Sequence, residues 1–69
     1  MKNEQIIEIY ESKYGKIEEM VRMGYRITFN QNAKGNWVVT KYYEPNSYKS
    51  EKGLQVVYNK EGMEINKTY

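Results

Sequence analysis

The stretch YRITFNQ-NAKG-NWVVTKYY, residues 25–43, decides the fold of this 69-residue chain. Apolar and polar side chains alternate over residues 25–30, which is typical of a strand with one buried face. The segment 32–35, NAKG, places Asn first and Gly fourth in a type I turn, whose Gly takes the left-handed conformation and forms a bulge. The stretch therefore predicts a β-hairpin with strands at about 25–31 and 36–43. The parity of the turn puts Trp37 and Val39 on the face of Ile27 and Phe29.

A second Asn-x-x-Gly sequence, at residues 59–62, predicts another hairpin with strands at about 54–59 and 63–68. Its register stays open. The bulged turn pairs Val57 with Ile65, whereas a two-residue turn pairs Tyr58 with Ile65. A slip of one residue exchanges the two faces of a strand, so the inner face of the third strand cannot be assigned. The polar segment 44–53, which holds the only proline, is predicted to be the loop between the hairpins.

The residues before the first hairpin predict one helix from about 4 to 23. Apolar side chains recur there at spacings of three and four and fall within a single arc of the helix. The phase continues past Gly15, so we expect the helix to be continuous, with Asn3 as its N-cap and Gly24 at its end. The apolar positions are Ile6, Ile7, Tyr10, Tyr14, Ile17, Met20 and Val21.

Together these elements predict a single α+β domain over residues 1–69, with one long N-terminal helix packed on a four-stranded antiparallel sheet made of two hairpins. A domain of this size buries only about 60% of the surface of its unfolded chain. The chain has no Cys, so disulfides cannot add stability, and self-association as a homodimer stays open.

Composition also bears on origin and location. No stretch approaches the ~20 apolar residues of a membrane span, and the first residues lack the apolar run of a signal peptide. A cytoplasmic protein without membrane contact is therefore expected. The frequent Lys, Asn, Ile and Tyr residues use A- and T-rich codons, which favours a gene of AT-rich bacterial or phage origin.

The sequence argues against catalysis and against cofactors or metals. The side chains that most often act as general base or nucleophile, His and Cys, are both absent. There is no Asp, the Glu residues are spread along the chain, and no glycine-rich phosphate loop is present. We therefore predict a binding protein, not an enzyme.

The main hypothesis is a protein-binding regulator or inhibitor. Eight tyrosines exceed what so small a core can hide, and tyrosine is enriched in protein interfaces. Tyr42 and Tyr43 are consecutive in a strand, so one of them is expected to face outward. Tyr48 lies in the polar loop together with Lys49 and Lys52, where it is a candidate contact residue.

The alternative hypothesis is a domain that binds single-stranded nucleic acid. Residues 24–69 carry a net charge of about +3 by residue type, and Arg26 and Lys41 lie among the aromatic residues of the sheet. Aromatic side chains can stack on bases while such cations attract phosphates. The two hypotheses together nominate the following contact residues: Tyr42, Tyr43, Tyr48, Lys49, Lys52, Arg26 and Lys41.

Overall fold

A computed structural model describes residues 2–43 and 51–68. Two helices precede four strands, and the strands form one antiparallel sheet in the order β1-β2-β3-β4. The helices pack on one face of this sheet, so the predicted α+β architecture is confirmed. The elements are α1 (Asn3–Tyr14), α2 (Ile17–Arg22), β1 (Tyr25–Gln31), β2 (Trp37–Tyr43), β3 (Glu51–Tyr58) and β4 (Glu64–Thr68).

The prediction of one continuous helix is wrong, because the chain breaks at Gly15. Gly15 takes φ +111°, a conformation outside the right-handed helical region that residues with a side chain rarely adopt. The carboxylate of Glu11 then accepts a hydrogen bond from the Ile17 amide at 3.0 Å, which satisfies one of the free donors at the start of α2. The break changes which residues reach the core: Met20 is buried, but Val21 is 55% exposed.

The ends of the helical segment agree only in part with expectation. Gly24 follows α2 with φ +98°, as predicted for a residue that stops a helix. Asn3 is not the N-cap; it lies in the first turn, and Lys2 occupies the cap position. The Lys2 amide donates to the side-chain oxygen of Gln5 at 2.8 Å, a local bond that takes over part of the capping role.

The first hairpin forms as predicted. Gly35 has φ +83° and its amide donates to the Asn32 carbonyl, while the Asn32 side chain accepts from the Lys34 and Asn36 amides. Pairing then runs without interruption over the whole length of β1. Phe29 pairs with Val39, so the predicted shared face is confirmed.

β3 begins earlier than expected. Residues 51–53 belong to the strand and not to the predicted 44–53 loop, so Lys52 lies in a strand as the register partner of Tyr42. The pairing between β2 and β3 shifts by one residue beside Lys41. Gly53 is the extra residue, and a Cβ at this position would lie 3.2 Å from the Lys41 carbonyl oxygen, so glycine permits the close approach.

The second hairpin has the bulged turn, and both of the registers considered occur in it: the register of the bulged turn holds for one pair, and the alternative register holds for the rest of the strand. Gly62 has φ +84° and its amide donates to the Asn59 carbonyl, which repeats the first turn. One pair later the register shifts again: Tyr58 pairs with Glu64, but Val57 pairs with Asn66. Ile65 is therefore an extra residue in β4, and it is 51% exposed.

The core lies between the helices and the sheet. Leu54, Val56 and Tyr58 occupy the inner face of β3, which settles the question that the sequence left open. They pack with residues from both helices and from β2. The buried cluster consists of Ile6, Tyr10, Met20, Trp37, Val39, Leu54, Val56 and Tyr58.

Candidate protein-binding surface

The helices cover only one face of the sheet, and the other face, here called the outer face, is built from alternate residues of all four strands. Its central row comprises Thr28, Thr40, Gln55 and Thr68, which are successive register partners. The next row comprises Asn30, Val38, Val57 and Asn66, paired in the same way. Neither row contains a charged side chain, so water can be removed from them without desolvating an ion.

One end of the outer face holds two of the nominated contact residues. Arg26 and Tyr42 are register partners, so their side chains are neighbours on the same face. Arg26 is exposed and Tyr42 is partly exposed. Tyr and Arg are enriched among the residues that contribute most to the affinity of protein interfaces.

The structure separates Lys41 from this pair. Lys41 lies on the opposite face of β2, where its ammonium group is 4.4 Å from the centre of the Tyr25 ring. Arg26 and Lys41 thus do not form one cationic surface, although the nucleic-acid hypothesis used both. The backbone of Tyr43 pairs with that of Tyr25, and Tyr48 and Lys49 lie outside the described residues.

Several tyrosines pack between the helices and the inner face of the sheet. Tyr10 and Tyr58 are 1% and 2% exposed, and Tyr10 stacks on Tyr14 with ring centres 4.9 Å apart. Burial raises the pKa of the Tyr10 hydroxyl, and it raises the pKa of the Tyr58 hydroxyl to about 12, with a further contribution from the Glu64 charge. Neither hydroxyl has a hydrogen-bond partner among the described residues. The surplus of tyrosine over core capacity is therefore smaller than the sequence indicated.

A polar contact that sequence reasoning missed joins α1 to β4. The Tyr14 hydroxyl donates to a Glu64 carboxylate oxygen at 2.7 Å, and the Lys13 ammonium lies 3.0 Å from the same oxygen. These two partners, the hydroxyl first, lower the pKa of the Glu64 carboxyl. Burial and the bond to Glu64 raise the pKa of Tyr14. The bulged turn already implies the pair of Glu64 with Tyr58, but the approach of α1 to β4 depends on helix packing, for which the sequence carries no local signal.

A shallow pocket of about 300 Å³ lies at the helix break, between Gly15 and the ends of β1 and β2. Its lining includes Met20, Met23 and Tyr25, with Lys16 and Glu19 among the polar residues. This volume is at the lower limit for small-molecule sites.

Three further observations bear on function. Within residues 2–43 and 51–68, no group of three or more Glu side chains is placed to hold a metal ion. Among the described helices, none has the length and apolar character needed to cross a membrane. No protein-family model, curated protein or solved structure matches this chain.

Proposed function

We propose that this chain is a non-catalytic protein-binding domain that receives a partner protein on the outer face of its sheet. The observation that carries the proposal is the pair of uncharged rows bounded at one end by Arg26 and Tyr42. Protein interfaces are depleted of charged side chains at their core and are enriched in Tyr and Arg, and the outer face has both properties. Bound in this way, the chain would act as a regulator or inhibitor of its partner, a role that suits its small size.

The outer face supports a protein partner better than nucleic acid. Binding of a nucleic-acid backbone depends on clustered cations, and its affinity falls steeply with salt. The two cations nominated for that role lie on opposite faces of the sheet. A partner on the outer face would instead be held by apolar and amide contacts, which depend little on salt.

The test is affinity capture from lysate of the source cells, with the wild-type chain and three variants as bait. Val57→Lys places a charge in the middle of the outer face, and Tyr42→Ala removes the aromatic at its margin. Glu8→Lys, on the exposed side of α1, is the matched control. We expect one protein to be retained by the wild type and by Glu8→Lys in near-stoichiometric amount, and to be lost with the two outer-face variants.

Two results would contradict the proposal. One is a captured protein that is retained equally by all four baits, since the outer face would then not be the contact. The other is a complex with mixed oligonucleotides that forms at low salt and dissociates at moderate salt, which would favour the nucleic-acid hypothesis. Circular dichroism of each bait checks that the fold is retained.

A further inference from the structure

β1 forms one edge of the sheet and is unusually regular for that position. Its seven residues pair with β2 without a bulge, and they contain neither Pro nor Lys. Edge strands in monomeric proteins are commonly short, bulged, or carry lysine or proline, which prevents another strand from pairing with them. The opposite edge has such protection, because β4 is shorter, contains the extra residue Ile65, and includes Lys67.

The hydrogen-bonding pattern identifies which groups β1 offers at its free side. The Asn32 amide bonds to the Asn36 carbonyl, and hydrogen-bonded pairs recur every second residue along an antiparallel ladder. Residues 26, 28 and 30 therefore bond to β2. The amides and carbonyls of Ile27 and Phe29 point away from the sheet, and no described strand pairs with them.

These groups are self-complementary about Thr28. If a second β1 pairs antiparallel with a two-fold axis at Thr28, Ile27 of each strand faces Phe29 of the other, and the two residues exchange both backbone hydrogen bonds. Ile27 and Phe29 are only half-buried in the single chain, and apolar cross-strand pairs of this kind stabilise sheets.

The side chains on the outer face also fit this register. Arg26 of each strand faces Asn30 of the other, so no like charges meet. A register centred on Arg26 would instead place two guanidinium groups side by side, which is unfavourable. Among registers that bring outward-pointing groups together, the one centred on Thr28 uses the full length of β1.

Exposed apolar side chains lie next to this edge. α2 packs against β1, and it carries Val21, while Met23 follows at its end; the two are 55% and 68% exposed. A two-fold axis normal to the sheet brings the two copies of α2 onto the same face, towards opposite ends of the paired strands, because α2 leads into Tyr25 and Tyr25 of one strand faces Gln31 of the other. Contact between each α2 and the second copy adds to the edge pairing, which alone buries less than the ~800 Å² per partner of a standard interface.

We propose that a second copy of this chain pairs with β1 in this register, giving a homodimer with one continuous eight-stranded sheet. The dimer leaves both outer faces open and places them on the same side, so it is independent of the proposed partner binding. It presents two copies of that surface to a partner.

The test is sedimentation equilibrium of the purified full chain over a wide range of concentration, with two lysine variants. Thr28→Lys puts two ammonium groups next to each other at the axis. Thr40→Lys is the matched control, since Thr40 is the register partner of Thr28 on the outer face but lies one strand from the edge. We expect a mass of twice 8.3 kDa for the wild type and for Thr40→Lys, and a dissociation constant about tenfold higher for Thr28→Lys.

Amide hydrogen exchange gives a second measurement that needs no variant. Exchange at Ile27 and Phe29 should slow as the protein concentration rises, because only the dimer bonds these amides. A monomer mass up to millimolar concentration would overturn the proposal. It would also be overturned if Thr40→Lys weakened association as much as Thr28→Lys, which would indicate contact through the outer face.

Discussion

The two hairpins of this sheet start from the same turn and then diverge. At residues 32–35 and 59–62, Asn accepts hydrogen bonds from two following amides and Gly has φ of +83° or +84°. The first hairpin continues with unbroken pairing, whereas the second inserts Ile65 after a single pair. Turn chemistry therefore determines how a hairpin begins, and the contacts of each strand determine how it continues.

The difference arises from the contacts that each edge strand, β1 or β4, makes with the helices and the core. β1 places Ile27 and Phe29 towards the core, where alternation alone is sufficient. β4 must place Glu64 beside Tyr14 and Lys13 of α1. The Lys67 ammonium also lies 5.5 Å from the centre of the Tyr14 ring. Residues 64 and 67 would face opposite sides of a regular strand, and the extra residue Ile65 brings both to the face of α1.

Deletions should give the largest contrast between the hairpins. Removing Ile65 leaves Glu64 and Asn66 in their present pairs and converts β4 to a regular strand, so we expect the free energy of unfolding to change by no more than about 1 kcal/mol. Removing Val38 shifts the faces of the remaining residues of β2, including the fully buried Val39, and should abolish cooperative folding. Denaturation followed by circular dichroism measures both, and an unfolded Ile65 deletion would contradict the account of the bulge.

The two turn glycines should respond alike, which tests whether the turns are equivalent. Gly35→Ala and Gly62→Ala each force a side chain into the left-handed region, at a cost of about 1–2 kcal/mol. A Cβ at Gly35 would also approach the end of the Lys60 side chain at 3.0 Å, but that flexible group can move. Gly35→Asn and Gly62→Asn are the controls and should lose less, since Asn tolerates this conformation. Unequal losses of more than about 1 kcal/mol in urea denaturation would show that the turns differ.

The bond from α1 to β4 should have an intermediate effect. Tyr14→Phe removes the hydroxyl that donates to Glu64 and should lower the free energy of unfolding by about 1 kcal/mol. Tyr10→Phe and Tyr58→Phe are matched controls, because their buried hydroxyls have no hydrogen-bond partner among the described residues. These two variants should stay within about 0.5 kcal/mol of the wild type or become more stable. Equal losses in all three would mean that the hydroxyl of Tyr14 has no special role.

Acid should produce the smallest effect, and it should act through the second hairpin. The folded-state pKa of Glu64 is lowered, so its carboxylate contributes to the free energy of unfolding. This stabilisation is fully present above the unfolded-state pKa of about 4.3 and is lost as the pH falls through the lower folded-state pKa. Stability should therefore fall below about pH 4, and Glu64→Gln should show a weaker fall. Guanidinium denaturation between pH 7 and pH 3 measures the difference, and parallel curves for the two proteins would contradict it.

Much of the fold followed from local signals in the sequence. Alternation gave β1, and the Asn-x-x-Gly pattern gave both turns. The break at Gly15 could not be read from periodicity, because Met20 keeps the apolar phase across it. The inner face of β3 could not be assigned, because the second turn left two registers open. The extra residues Gly53 and Ile65 also interrupt the pairing of β3 with both neighbouring strands.

The candidate surface was less predictable than the fold. Counting tyrosines indicated an excess for binding, but Tyr10 and Tyr58 are core residues, a fact that depends on helix packing and strand register. The neighbours Arg26 and Tyr42 lie sixteen positions apart, and only the pairing of β1 with β2 brings them together. The sequence could nominate each residue but not their common face.

The contact between Tyr14 and Glu64 has a consequence for the order of folding. Its partners are separated by 50 positions, and those of the Lys13 ion pair by 51, so both span most of the chain. Contacts of such long range form late because closing a long loop costs entropy before any contact repays it. During synthesis on the ribosome, α1 emerges before the strands, but its contacts with Glu64 can form only after β4 has emerged. The anchoring of α1 should therefore be among the last steps in the folding of this domain.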